Sequence, residues 1–159
     1  MGKFGPALVL GLSLWVQAVG AVCAPDTVEL RSASGEVMRF SVELADDEAE
    51  RAVGLMNRDR MATSAGMLFA YSAPQHVYFW MKNTRIPLDM IFADAAGRVV
   101  QVHSNAVPMD ESQIDGGQGV TFVLEINGGL AARLGLTKGA VMRTDAIDQS
   151  AAVWTCDAP

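Results

Sequence analysis

Little in this sequence advertises a reaction. It contains no Gly-x-Ser-x-Gly elbow, the strand-to-helix turn that holds the nucleophile of one large hydrolase class. Histidine occurs only at His76 and His103, and cysteine only at Cys23 and Cys156. Neither His-x-x-His nor Cys-x-x-Cys spacing is present, which argues against zinc, and no Cys–His context marks a thiol nucleophile. Basic charge is short as well: 12 Lys and Arg stand against 18 Asp and Glu, for a net −6. That is the wrong balance for a general nucleic-acid binder, which presents a basic face. Aromatic residues make up only 7% of the chain, so any place where they gather is informative. Beyond the first twenty residues, no apolar run is long enough to span a bilayer.

What is present begins with that N-terminal stretch, "MGKFGPALVLGLSLWVQAVGA". One early Lys3, an apolar run from Pro6 to Val19 and the small-x-small triplet Ala18-Val19-Gly20 form the layout of a secretory signal peptide. The run of about 14 apolar-rich residues is too short to cross a membrane comfortably. We therefore expect residues 1–20 to be removed and the mature protein to be periplasmic or secreted, with no membrane span left. Cleavage after Cys23, through Ala21-Val22-Cys23, is the alternative. Removing Lys3 leaves 11 basic residues against the same 18 acidic ones. If Cys23 survives, it and Cys156 sit near opposite ends of an exported chain, where an oxidising compartment favours a bridge between them. Cleavage after Cys23 would remove that bridge.

The remaining length suits one domain, and a hydrophobic content of 50% supports a packed core. Thr27–Ser32 and Glu36–Leu44 read as a hairpin turned at Ser34-Gly35, with Met38, Phe40, Val42 and Leu44 alternating against polar residues. "DDEAERAVGLM" opens on acids, and Asp47 with Glu50 resembles a capping box. It predicts a helix over Asp47–Met56 with Ala49, Ala52, Val53 and Met56 facing inward. Gly66–Tyr71 and His76–Met81 read as strands around Ser72–Gln75, and Leu88–Ala93 and Arg98–Ala106 as strands around Asp94–Gly97. Pro108–Gly119 reads as an acidic, glycine-rich mobile loop. Val120–Ile126 follows as a strand, then a helix capped by Asn127 and closed by Gly135, then a last strand over Ala140–Arg143. The expected architecture is mainly β: a single antiparallel β-sandwich or partly closed barrel over residues 27–144, with two short helices and a weakly patterned tail at 145–159.

The scarce aromatics gather in "FWMKNTRIPLDMIF", residues 79–92. Strand parity puts Val77, Phe79 and Met81 on one face, and His76, Tyr78, Trp80 and Lys82 on the other. The same parity suggests that Asp89 and Glu125 look out beside Trp80 and Lys82. Apolar rings with a few aimed polar groups suit a small ligand, a sugar or an anionic metabolite. The expected ligand-binding set is Trp80, Lys82, Asn83, Thr84, Asp89, Glu125 and Asn127, with Arg51, Arg58, Arg85 and Tyr78 at the rim. Asn83-Thr84 as a tight turn, with Lys82 paired to a carboxylate, is the purely structural alternative. Should Asp89 and Glu125 share a cleft within roughly 5–10 Å, they would form a hydrolytic acid/base pair. The methionines raise Cu(I), but Met67, Met81 and Met90 fall in strand patterns that fill core gaps; no metal site and no cofactor is expected.

"RAVGLMNR" (51–58), "GMLFAY" (66–71), "FWMKNTRIPLDMIFAD" (79–94), "GRVVQV" (97–102) and "VLEINGGLAARLGLTKG" (123–139) together resemble the family catalogued as domain of unknown function 192. The resemblance runs from about Val28 to Arg143. It implies one compact β-rich domain, often exported in bacteria, with no established reaction. Members often carry Tyr and Ser before the Val-Leu-Glu-Ile-Asn motif, where this chain has Asp110–Gly119 without Tyr. The leading expectation is an exported ligand-binding module taking a small molecule or glycan. A structural or protein-interaction domain of the cell envelope and an Asp/Glu hydrolase are the alternatives. The sequence sets no oligomeric state.

Overall fold

The structure, a computed structural model, describes Met1 and residues 23–158; the body of the expected leader lies outside the described residues. Among the described residues seven strands and two short helices follow one another as β1 (Thr27–Arg31), β2 (Val37–Ala45), α1 (Glu48–Val53), β3 (Ala65–Phe79), β4 (Leu88–Ala93), β5 (Val99–Ala106), β6 (Ile114–Asn127), α2 (Leu130–Arg133) and β7 (Val141–Arg143). The strands form one sheet in the order β5-β4-β6-β3-β2-β1-β7. The sheet curls until its edges approach: Arg98, just before β5, bridges Val141 of β7, and Gly139 N–H donates to the Val99 carbonyl at 2.8 Å. The protein is a mainly β half-barrel with two short helices.

Pairing is antiparallel except between β2 and β3, which run parallel. A parallel pair needs a crossover, and α1 with the loop behind it supplies one. The Asp47 carboxylate caps α1 by accepting from Glu50 N–H at 2.7 Å, as the sequence suggested. The expected inward face does not exist, however: no α1 residue is buried, and Val53 is 59% exposed. The helix makes the turn, and the chain after it, through buried Leu55, makes the packing.

Two other expectations change for one reason. The segments around Ser72–Gln75 form a single fifteen-residue strand, β3, with irregular register near Gln75 and Val77. Its partner β6 is nearly as long, at fourteen residues, because Ile114–Gly119 belongs to the strand and not to a loop. Two glycines with positive φ, Gly117 and Gly119, let β6 absorb the irregularity opposite.

The central strands are buried on both faces; every residue of β4 is buried. One face joins Leu68, Ile91, Phe122, Leu124 and Ile126 to β1, β2, β7 and the α2 residues Leu130 and Ala131. The other joins Met67, Phe69, Val77, Met81, Leu88, Met90, Phe92 and Val123 to Leu55. Each buried side chain of this size contributes roughly 1.5–3 kcal/mol.

The tail is better fastened than its composition suggests. A disulfide joins Cys23 to Cys156. Trp154, 3% exposed, lies between two guanidinium groups, Arg143 at 3.9 Å and Arg31 at 4.4 Å from the ring centroid. Arg143 also donates to Glu29 Oε2 at 2.7 Å and to the Ala158 carbonyl at 2.6 Å. Burial alone would raise the Glu29 pKa, but hydrogen bonds from Arg39 and Arg143 hold it below the ordinary carboxylate value.

Candidate functional site

The polar knot of 82–85 is first of all a backbone device. Asn83 adopts φ +55°, a left-handed conformation that Asn tolerates better than most residues. Thr84 N–H closes the turn on the Met81 carbonyl at 3.1 Å, and the Asn83 carbonyl accepts from Asn57 N–H at 2.8 Å. Met81 N–H to the Asp110 carbonyl and Met109 N–H to the Thr84 carbonyl pin the turn from the other side.

Asp89 and Glu125 do not share a face. In the β4–β6 register Asp89 lies opposite Ile126, and Met90 opposite Glu125. The carboxylates are therefore one residue out of step, and a one-residue step sends side chains to opposite sides of a sheet. Asp89, fully buried, accepts three backbone N–H groups: Asn105 at 2.7 Å and Gly129 at 2.8 Å on Oδ1, and Ala131 at 2.6 Å on Oδ2. It ties β5 and the start of α2 to β4, doing the capping expected of Asn127. Asn127 instead donates to the Ala62 carbonyl at 2.9 Å. With Asp89 occupied on the far face, the shared cleft required by an Asp/Glu hydrolytic pair is absent.

Glu125 is the unusual group. It lies between Met67 on β3 and Met90 on β4, neighbours that offer no charge and only weak hydrogen bonding. It is 4% exposed, and burial pushes its pKa up to about 8. No hydrogen bond among the described residues reaches its carboxyl. What it faces is a cavity of about 90 Å³, lined by Phe69, Tyr71, Tyr78, Phe79, Trp80 and Thr84 from the sheet side and by Arg51 to Met56 from α1 and the chain after it. Gly54 makes the α1 wall fit: its φ is +50°, and a Cβ there would stand 3.1 Å from Phe69 Cζ.

The rim carries two exposed rings, Tyr78 at 48% and Trp80 at 47%. Lys82 Nζ sits 4.9 Å from the Trp80 ring centroid, and Tyr78 stacks on His76 at 4.3 Å between centroids. The parity expected along His76–Lys82 thus holds. Arg51 Nη1 donates to the Ala70 carbonyl at 3.0 Å and also to the Asp46 carbonyl; its guanidinium lies 5.0 Å from the centroid of Tyr71. Burial raises the Tyr71 pKa, with Arg51 opposing and Glu125 adding.

The structure therefore brings Glu125, Trp80, Tyr78, Thr84 and Arg51 to one cavity. Asn83, Asp89 and Asn127 do not line it, and Lys82 reaches it only through Trp80. Arg58 pairs with Glu43 (Nη2–Oε2 2.6 Å) and Arg85 with Asp59 at 2.9 Å, away from it. The sequence reading missed Tyr71, Phe69 and Gly54. Tyr71 was reachable, since Met67, Phe69 and Tyr71 alternate along β3. Among the described residues no group of three or more His, Cys, Asp or Glu is placed to hold a metal, and no helix is long and apolar enough to cross a membrane.

Two solved structures share the fold and much of the sequence. A candidate transcription regulator from Sinorhizobium meliloti 1021 is 43% identical with a TM-score of 0.72, over 76% of this chain and 94% of that one. A protein of unknown function from Novosphingobium aromaticivorans DSM 12444 is 39% identical with a TM-score of 0.70, over 83% of this chain and 98% of that one. No curated protein matches the chain. The model of the DUF192 family, described as uncharacterized ACR, matches residues 29–144. The chain belongs to the DUF192 family.

Proposed function

We propose that the protein is an exported module that binds a small neutral sugar at the mouth of the Glu125 cavity, which is large enough for a hydroxyl-bearing arm of the ring. One observation carries the reading: a buried carboxyl with no hydrogen-bond partner among the described residues opens onto a cavity rimmed by exposed aromatic rings. A carboxyl kept protonated near neutral pH both donates and accepts hydrogen bonds, matching a hydroxyl-bearing ring. Trp80 and Tyr78 offer apolar faces to the same ring. Of the two ligand classes expected from sequence, the lining favours the neutral one. Arg51 is its only cation, and that guanidinium is already engaged by two backbone carbonyls. Export is supported by the leader pattern and by the disulfide, which suits an oxidising compartment. The net charge of −6 gives no support for carrying over the regulator description of the Sinorhizobium relative.

An envelope interaction role is the second reading, favoured by a shallow concavity against α1 whose lining includes Leu44 and Val53, both exposed. The test between them is calorimetric titration of the oxidised protein with glucose at pH 6.5. Binding by the wild type and its loss in Glu125→Leu is the expected result. Unchanged binding in that variant, or none by the wild type, removes the sugar reading.

A further inference from the structure

The Glu125 cavity has a neighbour. A second concavity of about 350 Å³ lies against the same three residues, Tyr78, Phe79 and Trp80, and is completed by Glu111 and Gln113. The exposed rings thus form a ridge that borders both hollows. Both rings are braced from within the chain. His76 backs Tyr78 and is itself held by Asp115, Nε2 to Oδ1 at 2.7 Å; Lys82 covers part of Trp80. Braced rings lose less freedom when a ligand lands on them. Among the described residues the second hollow is lined by no cation, and beyond the two rings its polar side chains are an amide and a carboxylate, donors and acceptors suited to hydroxyls.

We infer that the site takes a chain-shaped neutral glycan: its terminal ring closes the mouth of the Glu125 cavity and sends a hydroxyl-bearing arm inward, the next lies over the Tyr78–Trp80 ridge, and a third meets Glu111 and Gln113. This rests on the sugar reading of the cavity and extends it from one ring to three. A β-1,4-linked chain is the fitting class, because its flat ribbon presents apolar ring faces to the ridge and hydroxyl edges to both hollows. An extended peptide is the competing occupant, but along the ridge its repeating amide groups would meet mostly aromatic faces, with the Tyr78 hydroxyl already bonded to His76 Nδ1 at 3.2 Å and the Trp80 indole N–H a donor alone.

The experiment is a length series, glucose to cellotetraose, titrated into the oxidised full chain, with neutral glycine-rich tetrapeptides in parallel. Affinity is expected to rise roughly five- to tenfold for each added ring up to the third and then level off. The double variant Glu111→Ala/Gln113→Ala, at exposed positions, should abolish the gain from the third ring. Trp80→Ala should abolish the gain from the second. Equal affinity at every length overturns the extended site while leaving the single-ring cavity in place. A length gain that survives Glu125→Leu overturns the cavity and leaves the ridge. Binding of the peptides but not the glycans overturns the ligand class, and binding of neither overturns the whole proposal.

Discussion

Replacing Glu125 with Gln should make the protein more stable, an uncommon outcome for a change in a central strand. The carboxyl ionises near 4.5 in an ordinary setting and near 8 in the fold. Between those values the native state holds a proton that the unfolded chain has released, so stability falls as pH rises. The full benefit of the neutral form is present below about pH 4.5 and is lost as pH climbs through about 8. At pH 7, keeping the proton costs folding about 3 kcal/mol, and the whole range costs about 5 kcal/mol. Gln has nearly the same shape and does not ionise. The buried neutral acid and the buried amide forfeit similar hydration, so that cost largely cancels. Thermal unfolding of both proteins from pH 5 to pH 9 measures the effect. The wild type should lose stability at roughly 1.4 kcal/mol per pH unit over most of that span, and the variant should not. At pH 7 the variant should melt roughly 10 °C higher. A variant less stable than the wild type throughout, or a wild type insensitive to pH, would show that the carboxyl is not held neutral.

Three further outcomes follow from the parts that hold the site. Cys23→Ser should cost up to about 5 kcal/mol in the chain-entropy limit, because the disulfide spans 133 residues of sequence; denaturant unfolding with and without reductant checks it, and a wild type indifferent to reductant would contradict it. Asp89→Ala should cost about 3 kcal/mol, leaving three N–H groups, that of Ala131 buried, without their acceptor, and hydrogen exchange at Asn105, Gly129 and Ala131 should accelerate together. Arg143→Gln should cost about 1–3 kcal/mol, because Glu29 loses one of its two arginine partners and keeps Arg39. Because the Glu29 pKa is held low in the fold, its contribution is present above the ordinary carboxylate range and lost on acidification. The variant should therefore show a flatter acid limb in a urea-unfolding series from pH 6 to pH 2.

Much of the fold was legible because its strands alternate or run apolar over lengths that only strands use. Met38, Phe40 and Val42 point inward as read, while Leu44, read with them, is exposed and Ala45 is buried instead; His76, Tyr78, Trp80 and Lys82 share the expected side. The failures occurred where a residue's role depends on its partner strand. Asp89 and Glu125 each look like a carboxylate in an apolar strand. Only the β4–β6 register shows that one clamps a helix start while the other faces a cavity. Alternation implies one open face, whereas β4 is covered on both. The helix misled for a related reason: its alanines and valine mimic a buried stripe, but the packing falls to Leu55, beyond the helix end. In the 82–85 knot, composition suggested ligand chemistry where Asn83 serves a left-handed turn.

The most direct measurement is the titration of the Glu125 side chain itself, followed through its carboxyl carbon by NMR in the free protein and at saturating cellobiose. The account predicts a midpoint near 8 in the free protein, moving higher when sugar seals the cavity. A midpoint near the ordinary 4.5, or a titration that sugar leaves untouched, would contradict it.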